Sequence, residues 1–204
     1  LGHDWYIAEH GLNIKPYPVV GAAQRCVDAA LQLHADHGPD PAAIRRVTAR
    51  VSEGHSSVMQ FRLPVDAMQA RFSLEFAVAA PLVVGRLGLA EMRDDCVRRD
   101  DVQALMRKVE REEGPDDDPV YPVGARHDTV GVVFDDGTQL ESQPVHRYRG
   151  HGQNPLSSGE LRAKFMDCAT ATGAVPAELA TELFVQLSRL EELNGVESIP
   201  ENPI

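Results

Sequence analysis

The sequence predicts an α+β fold, and three observations predict it. Apolar residues recur at helical spacing over 23–31, 73–86 and 101–111, and in two stretches after 157. Residues 46–51 and 130–148 alternate with a period of two instead, as half-buried strands do. The second alternating stretch turns through Asp135-Asp-Gly137, a hairpin signal, so an antiparallel sheet is expected.

Residues 1–20 read as an entry segment. Pro16 and Pro18 keep Lys15-Pro-Tyr-Pro extended or turning, because a residue before proline is pushed out of the helical region. Ala23, Cys26, Val27, Ala30 and Leu31 then share a helix face, and Gly38-Pro-Asp-Pro41 stops that helix. In the first strand Val47, Ala49 and Val51 face inward while Arg46, Thr48 and Arg50 face water. Gly54-His-Ser-Ser reads as a loop and Phe61-Arg-Leu-Pro as a short extended piece. The helix over 73–86 takes Ser73 as its N-cap. Pro81 in its interior removes one backbone donor and should kink it, and Gly85-Arg-Leu-Gly88 ends it.

A third helix over 101–111 is expected, capped by Asp100 or Asp101, with Val102, Leu105, Met106 and Val109 as its buried stripe. After the loop Gly114–Pro119, Val130, Val132 and Phe134 form one arm of the hairpin and Leu140 to Tyr148 the other. Gly150-His-Gly-Gln-Asn-Pro155 is the next loop. Ser157 and Glu160 have capping-box spacing ahead of Leu161, Phe165, Cys168 and Thr172. Pro176 suits the first turn of a last helix, whose Leu179, Leu183, Leu187 and Leu190 run to a cap at Asn194-Gly195. The chain thus divides into an entry segment 1–20, an α+β domain 21–150, a helical segment 151–195 and a loose tail 196–204. The stripes of the last two helices have no evident partner in the preceding sequence. Leu1, not Met, opens the chain, so a longer product is expected, with upstream residues covering those stripes.

Acidic residues number 31 and basic residues 20, a net charge of −11. That argues against a nucleic-acid binder, which carries a basic footprint. It leaves room for a small basic pocket, because net charge governs long-range partners and not one site. The longest apolar stretch, 76–85, is interrupted by Pro81 and falls well short of the roughly 20 residues a bilayer needs, so no membrane partner is expected. Nor is a signal peptide expected from the opening residues. Three scattered cysteines make no disulfide framework, and a cytoplasmic location is expected.

Candidate chemistry is sparse. No Gly-rich phosphate loop and no Gly-x-Ser-x-Gly elbow occur. No cysteine has a close cysteine neighbour, and His34 and His37 lack a third ligand, so no metal is expected; the two histidines suit a helix C-terminus. His146, Arg147, Arg149 and His151 could attract a carboxylate. Strand alternation would send neighbours to opposite faces, so a solvated strand end is the preferred reading. Asp116 to Asp118 reads as a solvated charge run. Lys15, between a glycine-containing loop and Pro-Tyr-Pro, could fix a positive charge for a carboxylate or donate a proton; as a lysine it would more commonly be an exposed turn residue.

Several phrases together resemble one family. Gly11-Leu-Asn-Ile-Lys-Pro-Tyr-Pro18, with Val27-Asp-Ala-Ala-Leu31 in the following helix, is similar to a segment of the MmgE/PrpD, or 2-methylcitrate dehydratase-like, proteins. Ala70-Arg-Phe-Ser-Leu-Glu-Phe-Ala-Val-Ala79 resembles a second segment. Asp136-Gly, Gly150-His-Gly-Gln-Asn-Pro-Leu-Ser157 and Glu160-Leu-Arg-Ala-Lys-Phe165 resemble a third. The resemblance implies a chorismate-mutase-like lid followed by helices that return to an upstream all-helical domain. It implies a lyase or isomerase acting beside a carboxylate of a small polycarboxylate, without metal or organic cofactor, and a homodimer. It implies Lys15 as the catalytic residue facing substrate, with Gln24, Ser73 and Phe76 as substrate-binding positions. Gln24 stands where many members have histidine and Phe76 where many have tyrosine, and Val19 and Val20 stand where small or cysteine residues are common. These departures indicate a divergent member.

Three functions remain to be separated. The chain is part of an enzyme; or it is a non-catalytic module binding a small anion or serving assembly; or the leucine face at 179–190 is a dimer seam, against which burial on the same protein's helical domain is preferred. The general base is expected upstream of Leu1, and the isolated chain is expected to be inactive.

Overall fold

A computed structural model describes residues 5–192 and Gly195. The fold is α+β, and the chain divides after Pro155 into two compact units.

The first unit opens with the short helix α1 (Tyr6–His10) and runs through the proline segment to a 3-10 turn at Gly21–Ala23. Helix α2 (Gln24–His37) follows and ends as expected, with Gly38 left-handed at φ 51° and its N–H donating to the His34 carbonyl. Strand β1 (Ile44–Ser52) buries Val47, Ala49 and Val51 and exposes Arg46 and Arg50. Helix α3 (Glu53–Val58) replaces the loop expected at Gly54-His-Ser-Ser, because the Ser52 hydroxyl accepts from the His55 N–H and caps a helix there. After α4 (Ala67–Ala70), helix α5 (Leu74–Val84) begins at the expected cap, with Ser73 Oγ accepting from the Phe76 N–H at 3.1 Å. Every residue from Leu74 to Leu82 is buried, and the helix continues through Pro81 to Val84.

Helix α6 (Asp94–Val97) precedes α7 (Asp100–Met106), and here the expectation of one helix over 101–111 fails. Residues 109–114 form strand β2 (Val109–Gly114) instead. The physical reason is non-local. As a strand, Val109 and Arg111 face the same way. Val109 pairs with Val47, and Arg111 forks onto the Glu75 carboxylate of α5 at 2.8 and 2.7 Å. A helix would turn these two side chains apart. Neither Asp100 nor Asp101 occupies the cap position of α7, which belongs to Arg99; both lie in the first turn, where negative charge still suits the helix dipole.

Strands β3 (Thr129–Phe134) and β4 (Gln139–Glu141) form the hairpin, with Gly137 at φ 89° in its turn. The return arm is shorter than the stretch 140–148 expected for it; beyond Glu141 the Ser142 N–H donates to the Val130 carbonyl at 2.9 Å and an isolated bridge joins Asp128 and Val145. The sheet order is β2-β1-β3-β4. The expected antiparallel sheet is mixed, because β1 and β2 are parallel. One residue row, Val109, Val47, Val132 and Leu140, crosses all four strands on the face toward the helices. On the other face Arg50 bridges Glu112 and Glu141.

The second unit contains α8 (Ser158–Thr170) and α9 (Ala177–Leu187). Ser157 and Glu160 make both bonds of the capping box, and Pro176 stands at the start of α9. The rings of Phe165 and Phe184 lie 5.4 Å apart. No residue of α8 is buried, and in α9 only Ala180 is. Helix α9 stops at Leu187, and Leu190 falls in a 3-10 turn, so the expected leucine run is broken. Asn194 and the tail 196–204 lie outside the described residues. Among the described residues no helix is long and apolar enough to cross a membrane, and no three His, Cys, Asp or Glu side chains gather as metal ligands.

Candidate functional site

The three segments that carry the resemblance meet at residues 11–20. Gly11 has φ +71°, and a Cβ there would lie 3.3 Å from Gly152 Cα, so a side chain is disfavoured both by backbone strain and by the close approach. The Asn13 side-chain oxygen accepts from the Gly152 N–H at 2.9 Å, and the Ile14 N–H donates to the Gly150 carbonyl at 2.7 Å. At the other end, the Val20 N–H donates to the Arg71 carbonyl at 2.9 Å.

Lys15 sits in the middle of this junction. Its side chain is exposed, with Nζ 3.5 Å from the Val19 carbonyl. Gln24 is fully buried and committed to backbone: its amide donates to the Tyr17 and Val19 carbonyls at 3.0 and 3.1 Å, and its oxygen accepts from the Tyr17 N–H at 3.4 Å. Ser73 is occupied as the α5 cap, and Phe76 lies wholly in the core. Lys15, Gln24, Ser73 and Phe76 therefore do not line one common cavity in this structure.

A pocket of about 420 Å³ opens beside the junction. Asn13, Gly21 and Ala22, which flank the Lys15 segment, form one wall; Arg25, His55, Tyr121, Arg147 and His151 supply polar groups from elsewhere. Arg25, on α2, is 5% exposed and donates to Asp128 Oδ2 at 3.0 Å and to the Ala125 and His146 carbonyls. Arg147 grips Asp118 with two bonds of 2.5 and 3.0 Å, and its guanidinium carbon lies 5.1 Å from the centroid of the Tyr121 ring. Burial would raise the Asp118 carboxyl, but the Arg147 bonds and the N–H groups of Val120 and Tyr121 outweigh it and hold Asp118 at about 2. Burial pushes Asp128 the other way, up to about 7, against the pull of Arg25.

Each arginine is thus matched by a carboxylate. The pocket would recognise an anion through aimed N–H and O–H donors more than through surplus charge. Hydrogen-bond partners also assign the histidine tautomers. His55 Nδ1 accepts a long contact from Arg25 Nη2 at 3.4 Å, so its proton is on Nε2. His146 Nδ1 donates to the Arg126 carbonyl at 3.1 Å, which leaves Nε2 bare in the neutral ring. Burial, then the neighbouring guanidinium, lowers the pKa of both His55 and His151 and favours their neutral forms.

Residues 17–189 match the MmgE/PrpD C-terminal domain. The chain belongs to the MmgE/PrpD family. It is 25% identical to mouse cis-aconitate decarboxylase over 94% of its own length and 39% of the relative's. It is 26% identical to 2-methylcitrate dehydratase of Escherichia coli K12, over 72% of this chain and 32% of the relative. Against 2-methylcitrate dehydratase of Cupriavidus necator the identity is 29%, with the same coverage. The chain therefore spans about two fifths or less of the length of these relatives.

For this MmgE/PrpD chain the sequence misjudged the pocket in two places. Strand alternation would disperse His146, Arg147, Arg149 and His151, yet β4 ends at Glu141; His146, Arg147 and His151 line this pocket, and Arg149 lines a different one together with Asp28 and Gln32. The run Asp116 to Asp118 is not merely solvated. Asp116 accepts from the Gly124 N–H, Asp117 from the Arg126 N–H, and Asp118 holds Arg147. Arg25, His55 and Tyr121 carried no local signal, since each gains its role from partners far away in sequence.

Proposed function

We propose that this chain is the lid-forming C-terminal part of a cofactor-independent lyase or isomerase that works on carbon beside a carboxylate of a small polycarboxylate. Dehydration, decarboxylation and epimerisation share one demand: charge on the carboxylate must be stabilised while a proton moves. The pocket of aimed donors beside the Lys15 junction is the observation that carries this reading, since it offers that stabilisation next to the Lys15-Pro-Tyr-Pro segment, with Asn13 and His151 coming from stretches that resemble the family. Family membership supports it, and so do the substrates in the relatives' names, cis-aconitate and 2-methylcitrate, both small polycarboxylates. In this reading Lys15 faces the substrate, the α+β unit closes over it and excludes water, and the protein works as a cytoplasmic homodimer.

The commitment of Gln24 to backbone and of Ser73 to a cap favours a second reading, a module that binds a carboxylate without turnover. Turnover separates the two. The product of the gene that encodes this chain is assayed with cis-aconitate and with 2-methylcitrate, as wild type and as Lys15→Ala. A loss of kcat/KM of about 100-fold or more, with the fold retained, is expected of a charge-stabilising group. Near-normal kcat/KM would remove Lys15 from the reaction, and no turnover of either compound would favour the binding module.

A further inference from the structure

Within the pocket, the hydrogen bonds around His151 settle where one proton points. The backbone N–H of Gln153 donates to His151 Nδ1 at 3.0 Å. Only a bare ring nitrogen can accept, so the ring proton is on Nε2. Nε2 lies 3.1 Å from the Tyr121 hydroxyl. The Nε2–H therefore donates, and the Tyr121 oxygen accepts. Tyr121 cannot give its own proton to His151, and among the described residues no acceptor takes it. A protonated His151 would set an Nδ1–H against the Gln153 N–H; its 5% exposure and the nearby Arg147 disfavour that state as well.

The oxygen of Tyr121 is thus fixed from behind while its proton is left to the pocket. The ring is fixed too. The Tyr121 N–H donates to Asp118, the Arg147 guanidinium lies over the ring face, and the His151 ring meets its edge at 77°. A hydroxyl held in this way is oriented before any ligand arrives, which lowers the cost of ordering it on binding.

We propose that Tyr121 is the hydroxyl donor to a carboxylate bound in this pocket and that His151 is the positioning residue that turns the hydroxyl toward it. The ligand class rests on the function proposed above; the tautomer does not. Two measurements on the full chain test the proposal. In a long-range proton–nitrogen correlation spectrum, His151 should show a bare Nδ1 and a protonated Nε2. In calorimetric titration with cis-aconitate, Tyr121→Phe should weaken binding by about tenfold or more, as the loss of a hydrogen bond to a charged group does. His151→Gln keeps an amide donor for the Tyr121 oxygen and should stay within about threefold of wild type, whereas His151→Leu should fall as far as Tyr121→Phe. The fold of each variant is checked by its amide spectrum. A proton on His151 Nδ1, undiminished binding by Tyr121→Phe, or no cis-aconitate binding by the wild-type chain would each overturn the proposal. Because binding at equilibrium needs no turnover, binding without catalysis would overturn only the lyase reading.

Discussion

Two buried arginine–carboxylate pairs hold the first unit together, and they are built differently. At the seam between α5 and β2, Arg111 meets Glu75 through both oxygens, with side chains 5% and 3% exposed, and a further Arg111 bond runs to the Ser56 carbonyl. At the pocket edge, Arg25 meets only one oxygen of Asp128, and the buried Oδ1 has no hydrogen-bond partner among the described residues. The first pair uses both carboxylate oxygens to hold a strand to a helix. The second leaves a carboxyl under-satisfied beside the residues that could receive a ligand. Here the pair bonded through both carboxylate oxygens belongs to the scaffold, and the under-satisfied pair borders the site.

The largest effect is expected at the scaffold pair. Arg111→Met should lower unfolding free energy by about 3–5 kcal/mol in urea titration, because it removes the buried partner of Glu75 and leaves that buried charge only the exposed Arg62. Adding Glu75→Leu should recover much of that loss. A single-variant loss below about 1 kcal/mol would mean that Glu75 is rescued by Arg62, 3.5 Å away. Asp128→Asn should cost less, about 1 kcal/mol near pH 4, since Arg25 keeps its two carbonyl partners. The folded state holds the Asp128 proton more tightly than the unfolded chain does. Its contribution is therefore complete below about pH 4 and fades as pH rises through about 7. The asparagine variant should lack that slope, and a cost equal to that of Arg111→Met would erase the distinction between the pairs.

The smallest effect concerns Asp118, where the sign is reversed. Its carboxyl is held at about 2, so its contribution is present above about pH 4 and lost as pH falls toward 2. The difference in Tm between wild type and Asp118→Asn should shrink over that interval. A constant difference would mean that Arg147 does not bond to a charged Asp118.

What was legible in the sequence was local. The Gly38 stop of α2, the Ser73 cap of α5 and the Ser157–Glu160 box each need only a few neighbouring residues, and the structure has all three. Strand β2 was illegible because Val109-Glu-Arg-Glu-Glu113 has helix-compatible composition, and its state is decided by Val47 and Glu75 far upstream. The pocket was half legible. Arg147 and His151 stand out in the sequence as a basic cluster, but strand alternation does not disperse them, because β4 ends before reaching them. Tyr121 and Arg25 become site residues only through partners 30 and 103 residues away.

Gln24 clamps the backbone on both sides of Pro18 with an amide. An amide neither gains nor loses a proton across the physiological range. A histidine at this position, as the family resemblance leads one to expect, would titrate there. Acidification of the surroundings therefore leaves the Gln24 grip on the Lys15-bearing segment unchanged, and the contact to that segment that does titrate is Asp28, whose carboxylate accepts from the Tyr17 hydroxyl at 2.6 Å and whose pKa burial raises.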